Sequence, residues 1–346
     1  MAEGTGLWWA LVQDPIRGSF LEPFFIQFEH HSWHGFRFWD LIQPFFMFIV
    51  GVAMPFSYQN RINKGESHRT ITRHIIQRCF LLLAFGVGLH CGYSQKLVWE
   101  LWNVLSQLSV TILIAYFLMK YPVRIQLIVS LLLLLITDLV YRNFAVEGFN
   151  QPWIIDKNFG SWMDMILMGK LNNGGGWVAI NCIPTAAHTI WGVMAGQLLL
   201  NGKNQKRKFI TLLVTGAIAL LIGFGLDLAN ITPIIKRIAT SSFVFASGGW
   251  TLIGLAICYW FIDIKGYKKW TFLFTIVGSN SIFIYLFFNT IGGQWLNHFI
   301  SIFTNGILQW TYISKFSLSI VTCMVILAAE WGLCYWLYKR KIFFKI

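Results

Sequence analysis

This 346-residue chain is short of charge: only 12% of its residues are Asp, Glu, Lys or Arg, and just 14 are acidic. A soluble domain carries about 25%, so there is too little polar surface here to face water on every side. Cysteine is scarce as a framework. The six, at 79, 91, 182, 258, 323 and 334, mostly lie inside apolar runs and form no C-x-x-C pair. They read as small buried hydrophobes, which excludes a disulfide scaffold and a cysteine zinc site. The opening "MAEGTGLWWALVQDPIRG" lacks the basic n-region and full apolar core of a cleavable leader. Nor does any inverted repeat of the transporter kind stand out.

What the chain has instead is apolar length, with 56% hydrophobic and 17% aromatic residues. Stretches such as "LIVSLLLLLITDLV" and "FITLLVTGAIALLIGFGLDLA" approach or exceed the roughly 20 residues needed to cross about 30 Å of hydrocarbon. Backbone amides in such a segment must be satisfied internally, which dictates helices. The expected fold is all-α, a polytopic transmembrane bundle of about nine to eleven spans. Nine are placed at about 38–59, 76–92, 102–119, 123–141, 179–200, 209–228, 241–263, 271–290 and 316–338. Residues 1–37 then form an external N-terminal segment. Residues 38–346 form the bundle, with one long external loop at about 142–178.

The net charge of +13 would suggest nucleic acid on a soluble protein. Here the basic residues fall in short loops between apolar runs, so no nucleic-acid partner is expected. Of the 27 Lys and Arg, 18 lie in alternate connections such as "RINKGESHRTITRHIIQR" and "NGKNQKRK" or in the tail, and 9 lie on the other side. The positive-inside bias puts the first set and the C-terminus in the cytoplasm and the N-terminal segment outside. The stretch "GLWWALV" resembles the stump of a helix, so residues 1–15 are expected to be the end of an upstream span that this chain lacks.

A charge at the bilayer centre costs at least ~2.5–3.5 kcal/mol, so the polar residues inside or beside the spans carry information. Asp40 lies about one turn into the first span, Asp138 and Asp227 near external ends, and Glu330 within the last. Asn181 and His188 open the span after the long loop, and Asn280 sits mid-segment. Each also suits a plain contact between helices. In the long loop, Asn and Gly fill 172–176 and Trp177 ends them, which suits either a flexible connector or a surface on which a sugar ring stacks. The segment "FEHHSWHGFRFWDLIQPFFMFIVG" at 28–51 concentrates titratable groups before the first span. His30, His31 and His34 match no standard metal-ligand spacing. They are interfacial residues, or one of them is a base or nucleophile, since imidazole titrates near neutral pH.

The same residues carry a family resemblance. "HHSWHGFRFWDLIQPFFMFIVG" resembles the early core motif of the heparan-α-glucosaminide N-acetyltransferase family through His30, Trp33, Gly35, Asp40, Leu41, Pro44, Phe46, Phe48, Ile49 and Gly51. "RCFLLLAFGVGLH" and "NVLSQLSVTILIAYF" resemble the next two core helices. "ITPIIKRIATSSFVFASGGW" is similar to a later element through Pro233, Lys236, Ser242, Phe243 and Val244, and "DIKG" followed by "GSNSIFIY" also recurs there. The resemblance runs from residue 28 to about 290. There are departures: "DPIRG" at 14–18 is only a distant echo of the opening signature, Ser106–Gln107 replace an expected Arg, and Ala239 replaces a Trp. On this reading the family's first helix is missing.

The resemblance implies an enzyme that moves acetyl from cytoplasmic acetyl-CoA to the amino group of an external glucosamine-type sugar, without a metal. Its catalytic histidine falls on His30, with His31 the fallback and Asp40 the supporting acid. Arg78, Arg73, Lys236, Asn280 and Ser242 are candidates for holding the donor, and Trp33, His188 and Asn181 for the sugar. The lysosomal relative's N-terminal extension is not matched, which argues against heparan itself. The expected setting is the lipid of a bacterial inner membrane, with the histidine near the external side and a homodimer as the default assembly. Two other readings stay open: a sugar transporter without acyl transfer, and an O-acetyltransferase of a surface polysaccharide.

Overall fold

A computed structural model describes residues 4–344 other than 14, 173, 203, 309, 311 and 312. The first residue of the "DPIRG" echo and one Asn of the 172–176 run therefore lie outside the described residues. The chain order is α1 (Leu7–Leu11), α2 (Glu22–Phe25), α3 (Ile42–Asn63), α4 (His68–Ser94), α5 (Val104–Leu118), α6 (Val123–Asn143) and α7 (Phe159–Met168). It continues with α8 (Cys182–Leu200), α9 (Gln205–Leu228), α10 (Ser241–Tyr259), α11 (Thr271–Gly278), α12 (Ser281–Phe287), α13 (Asn297–Leu308) and α14 (Lys315–Lys339). Among the described residues the extended pairing is a single bridge, His34 with Ile235. The chain divides into two compact units, His31–Gly266 and a second made of Met1–His30 with Tyr267–Ile346.

Among the described residues, six helices are long and apolar enough to cross a membrane, and a seventh crossing is available if α11 and the helical stretch Ser281–Leu308, bent by 71°, count as one span. The protein is a multi-pass membrane protein. Its helices are inside-out relative to a soluble fold: α6 buries Gln126 and Ser130 while exposing Leu131, Leu132, Leu135 and Ile136. The two other expected spans are helices but fall short of that test. Helix α5 has 15 residues, and α8 carries Thr185, His188, Thr189 and Gln197 along 19. Thirteen α8 residues are buried. A helix walled in by protein has no lipid-facing surface to keep apolar, so its composition is freed from that demand.

Local sequence sets the helix starts. Ser67, Asn103, Asn158 and Asn204 accept backbone N–H bonds at the N-termini of α4, α5, α7 and α9, satisfying donors that the first turn leaves open. Pro44 lies in the first turn of α3, where its missing N–H costs nothing. The connection expected as an irregular loop at 142–178 contains α7, capped by Asn158 and closed by Gly169 in the left-handed region at φ 68°. A ten-residue helix between Gly- and Asn-rich flanks is easily lost in their composition.

The centre of the His31–Gly266 unit is the parallel pair α3 and α8, and it closes through glycine. A Cβ at Gly192 would lie 2.1 Å from the Phe48 carbonyl, one at Gly196 2.4 Å from that of Val52, and one at Gly51 2.1 Å from that of Thr189. Backbones this close admit no side chain, as at small-residue seams in membrane bundles. Gly192→Val is therefore expected to push the helices apart, at a cost of about 1–3 kcal/mol or more. Thermal unfolding in detergent checks it, and a melting temperature equal to wild type would contradict the packing.

The second unit holds α1, α2 and α11–α14. Cys323 and Ile320 of α14 pack on Leu7 and Ala10 of α1. A π-helical stretch, Phe288–Leu296, follows α12, and the acid of α14, Glu330, is buried beside Gly292.

Candidate active site

The site grows from the turn that precedes α3. Residues 38–41 form a 3-10 turn with Asp40 at its third position. One Asp40 oxygen accepts the backbone N–H of Arg37 at 3.0 Å and that of His31 at 3.3 Å. The carboxylate thus ties the "HHSW" segment back onto the helix it precedes. Its other oxygen lies 3.4 Å from Lys236 Nζ. Asp40 is 1% exposed and Lys236 6%, so this is a buried ion pair between the entry of α3 and the strap leading from α9 to α10.

The His31 ring lies over Gly35. A Cβ at Gly35 would come within 2.4 Å of His31 Nε2, and the residue's φ of 143° suits glycine. Gly35 N–H donates to the Ile234 carbonyl at 2.9 Å, so the histidine segment and the strap are zipped together. His31 Nδ1 is buried without a hydrogen-bond partner among the described residues. Burial, with Arg37, His34 and Arg237 adding to it against the opposing pull of Asp40, holds the His31 imidazole below its usual range. A neutral imidazole is therefore the resting form here near neutral pH. His34 pairs with Asp227 at 2.7 Å, and Trp33 Nε1 donates to the Trp153 carbonyl at 2.7 Å.

Lys236 Nζ and Arg237 Cζ lie 5.4 and 5.8 Å from the Trp177 ring centre, within cation–π range. Arg237 also donates to the Gly175 carbonyl, and its own carbonyl accepts Asn181 Nδ2 at 3.1 Å and Val178 N–H at 3.4 Å. One end of the unit thus gathers a carboxylate, two cations, a neutral imidazole and an aromatic face.

A model of the catalytic region of heparan-alpha-glucosaminide N-acetyltransferase matches residues 22–228, more than half of the chain. The chain belongs to this family. The matched segment contains His30, His31 and Asp40, and ends before Lys236. The heparan-alpha-glucosaminide N-acetyltransferase of Mus musculus is 24% identical over 385 residues, covering 92% of this chain, and that of Homo sapiens is 24% identical over 386. The chain spans 56% of the length of each relative. The family's name describes acetyl transfer to the amino group of a glucosaminide, which implies an acetyl donor.

Within that family frame, the other expected residues take varied places. His188 is buried in α8, with Nε2 2.8 Å from Ser247 Oγ on α10. Ser242 is buried and donates to the Pro233 carbonyl at 2.7 Å, holding the base of the strap. Arg73 is exposed on α4 and Arg78 half-buried. Arg78 Nε is buried with no hydrogen-bond partner among the described residues. Asn280 belongs to the second unit, where its amide donates to the Ile342 carbonyl at 3.0 Å and accepts Phe344 N–H at 2.9 Å. That amide holds the C-terminal tail. His30 is exposed and closes the N-terminal stretch of the second unit. Arg237 belongs to the same cluster, and charge counting alone does not single it out. Its signal is its place directly after Lys236, in a strap otherwise lined with Ile.

Proposed function

We propose that the chain is a transmembrane acetyltransferase that moves acetyl from cytoplasmic acetyl-CoA to the amino group of a glucosamine-type sugar on the external side. The observation that carries this reading is the buried Asp40–Lys236 pair set against the His31 backbone, inside and just beyond the segment matched by the family. The end where α3, α8 and α10 begin is the external one, by the bias of basic residues toward the opposite connections.

The residues on α4 suit an anionic donor: Arg78 carries a buried guanidinium nitrogen without a hydrogen-bond partner among the described residues, and Arg73 stands about one turn nearer the basic end. These two would hold phosphates, and the acetyl thioester supplies the acyl group. His30 is the base or acetyl carrier, and Asp40 anchors the peptide that joins it to His31. In the direct route, His30 takes the proton that the sugar amine loses as the C–N bond forms. The C–S bond breaks, and the sulfur leaves as a thiolate that takes up a proton. A fixed positive charge such as that of Lys236 suits a developing oxyanion, a preorganised form of stabilisation. Trp33, Trp177 and Asn181 offer the sugar an aromatic face and an amide.

Detergent-purified protein given labelled acetyl-CoA and glucosamine is expected to yield labelled N-acetylglucosamine. Absence of product under conditions that retain CoA binding would count against the reading. Label appearing on hydroxyl groups of a polysaccharide would replace it with O-acetylation.

A further inference from the structure

The turn that carries Asn181 and follows Trp177 is held from two sides. On one side, Val178 N–H and Asn181 Nδ2 both bond the Arg237 carbonyl. On the other, the N–H of Ala179, between them, donates to Asp164 Oδ1 at 2.9 Å. Asp164 lies on α7, is 1% exposed, and accepts Trp102 Nε1 on its other oxygen at 2.7 Å. We infer that Asp164 is a positioning residue: it sets the Ala179–Asn181 turn, and through it Trp177 and Asn181, against Lys236 and Arg237. The inference rests on the acetyltransferase reading only for the choice of glucosamine as the ligand.

Three further observations support this. First, α7 turns Gly160, Ser161 and Asp164 inward, and a Cβ at Gly160 would strike Val178 at 2.8 Å, so α7 is seated directly under the segment it holds. Second, Trp102 is itself braced. Lys170 Nζ lies 5.9 Å from its ring centre, and Lys170 and His90 both pair with Glu100. The acid is therefore gripped by a fixed partner rather than by a mobile one. Third, burial, together with the negative charge of Asp156 and against the two N–H bonds, pushes the Asp164 carboxyl up to about 6. Its folded value is raised, so it weakens folding when ionised. The stability it contributes grows as pH falls from above 6 toward the ordinary carboxylate value. A carboxylate held ionised at a cost to folding is explained by what it positions. The titratable groups around it are Asp156, Tyr141 from α6, and the His90–Glu100–Lys170 cluster beyond Trp102.

Asp164→Asn supplies one acceptor where two N–H groups need one each, whereas Asp164→Glu retains both. The test uses the full chain in detergent, with hydrogen exchange over residues 174–182 and calorimetric binding of glucosamine and of acetyl-CoA. In Asp164→Asn, exchange in that segment is expected to rise, and glucosamine affinity to fall about tenfold with acetyl-CoA affinity unchanged. Asp164→Glu is expected to recover most of both. The rise in melting temperature of the wild type from pH 7 to pH 5 should flatten in Asp164→Asn. Unchanged exchange, or a parallel fall in both affinities, would overturn the inference. Absence of acetyl transfer in the wild type would instead overturn the acetyltransferase reading, and the exchange result would still decide whether Asp164 holds the turn.

Discussion

Lys236→Met is expected to destabilise the protein by about 3–5 kcal/mol and to abolish acetyl transfer. The size follows from what is left behind. Asp40 would stay 1% exposed without the ammonium 3.4 Å from its Oδ1, and breaking a buried pair by removing one partner costs on that scale. The two backbone N–H groups bonded to Asp40 stay in place, so the carboxylate keeps these hydrogen bonds but loses the ammonium beside its other oxygen. Asp40→Asn should cost less than Lys236→Met, because Lys236 keeps the Trp177 face 5.4 Å away, and a cation over an aromatic ring retains ~0.5–2 kcal/mol. In the double variant, Asp40→Asn with Lys236→Met, both charges are gone and the fold should recover to within about 1–2 kcal/mol of wild type, while transfer stays absent. Unfolding of all four proteins in mixed micelles gives the coupling directly. A coupling below about 0.5 kcal/mol, the level expected of independent sites, would show that the pair is not the unit described here.

That pair also marks the limit of sequence reading. Lipid-facing helices such as α6 and α9 are legible because the bilayer demands apolar residues along their exposed faces. Helices occur at all nine expected positions. Asp40 was open to reading for the same reason: a charge near the start of an apolar span is costly, so it calls for a partner. Which partner was not legible from spacing, because Lys236 is brought in by a strap whose path depends on tertiary contacts such as Gly35 to Ile234 and Thr240 to Pro233. Asp164 was hidden for a different reason. It lies in a segment whose Gly and Asn suggest a loop, and its role appears only when α7 is seen to run beneath Val178 and Ala179. The signals that could have found it are the cap residue Asn158 and the terminating Gly169, which bracket "FGSWMDMILM" as a short helix with one acid on its inward face.

His30→Ala is expected to lower kcat by about 10²–10⁴, the usual worth of a positioned general base, with KM for glucosamine changed no more than a few-fold. His31→Ala is expected to cost about tenfold, because its ring packs over Gly35 and its N–H ties the segment to Asp40, and alanine keeps the N–H but loses the ring. The pH profile separates the two roles. Both routes need a neutral imidazole, so kcat falls on the acid side as the ring is protonated. Burial and the nearby Arg37 hold the His31 ring below the ordinary value of 6.5. Were His31 the base, the acid limb would lie below 6.5 and would vanish in His31→Ala. With His30 as the base, the limb persists in His31→Ala at reduced amplitude. Full turnover in both variants would remove His30 and His31 from the chemistry while leaving the reaction class open.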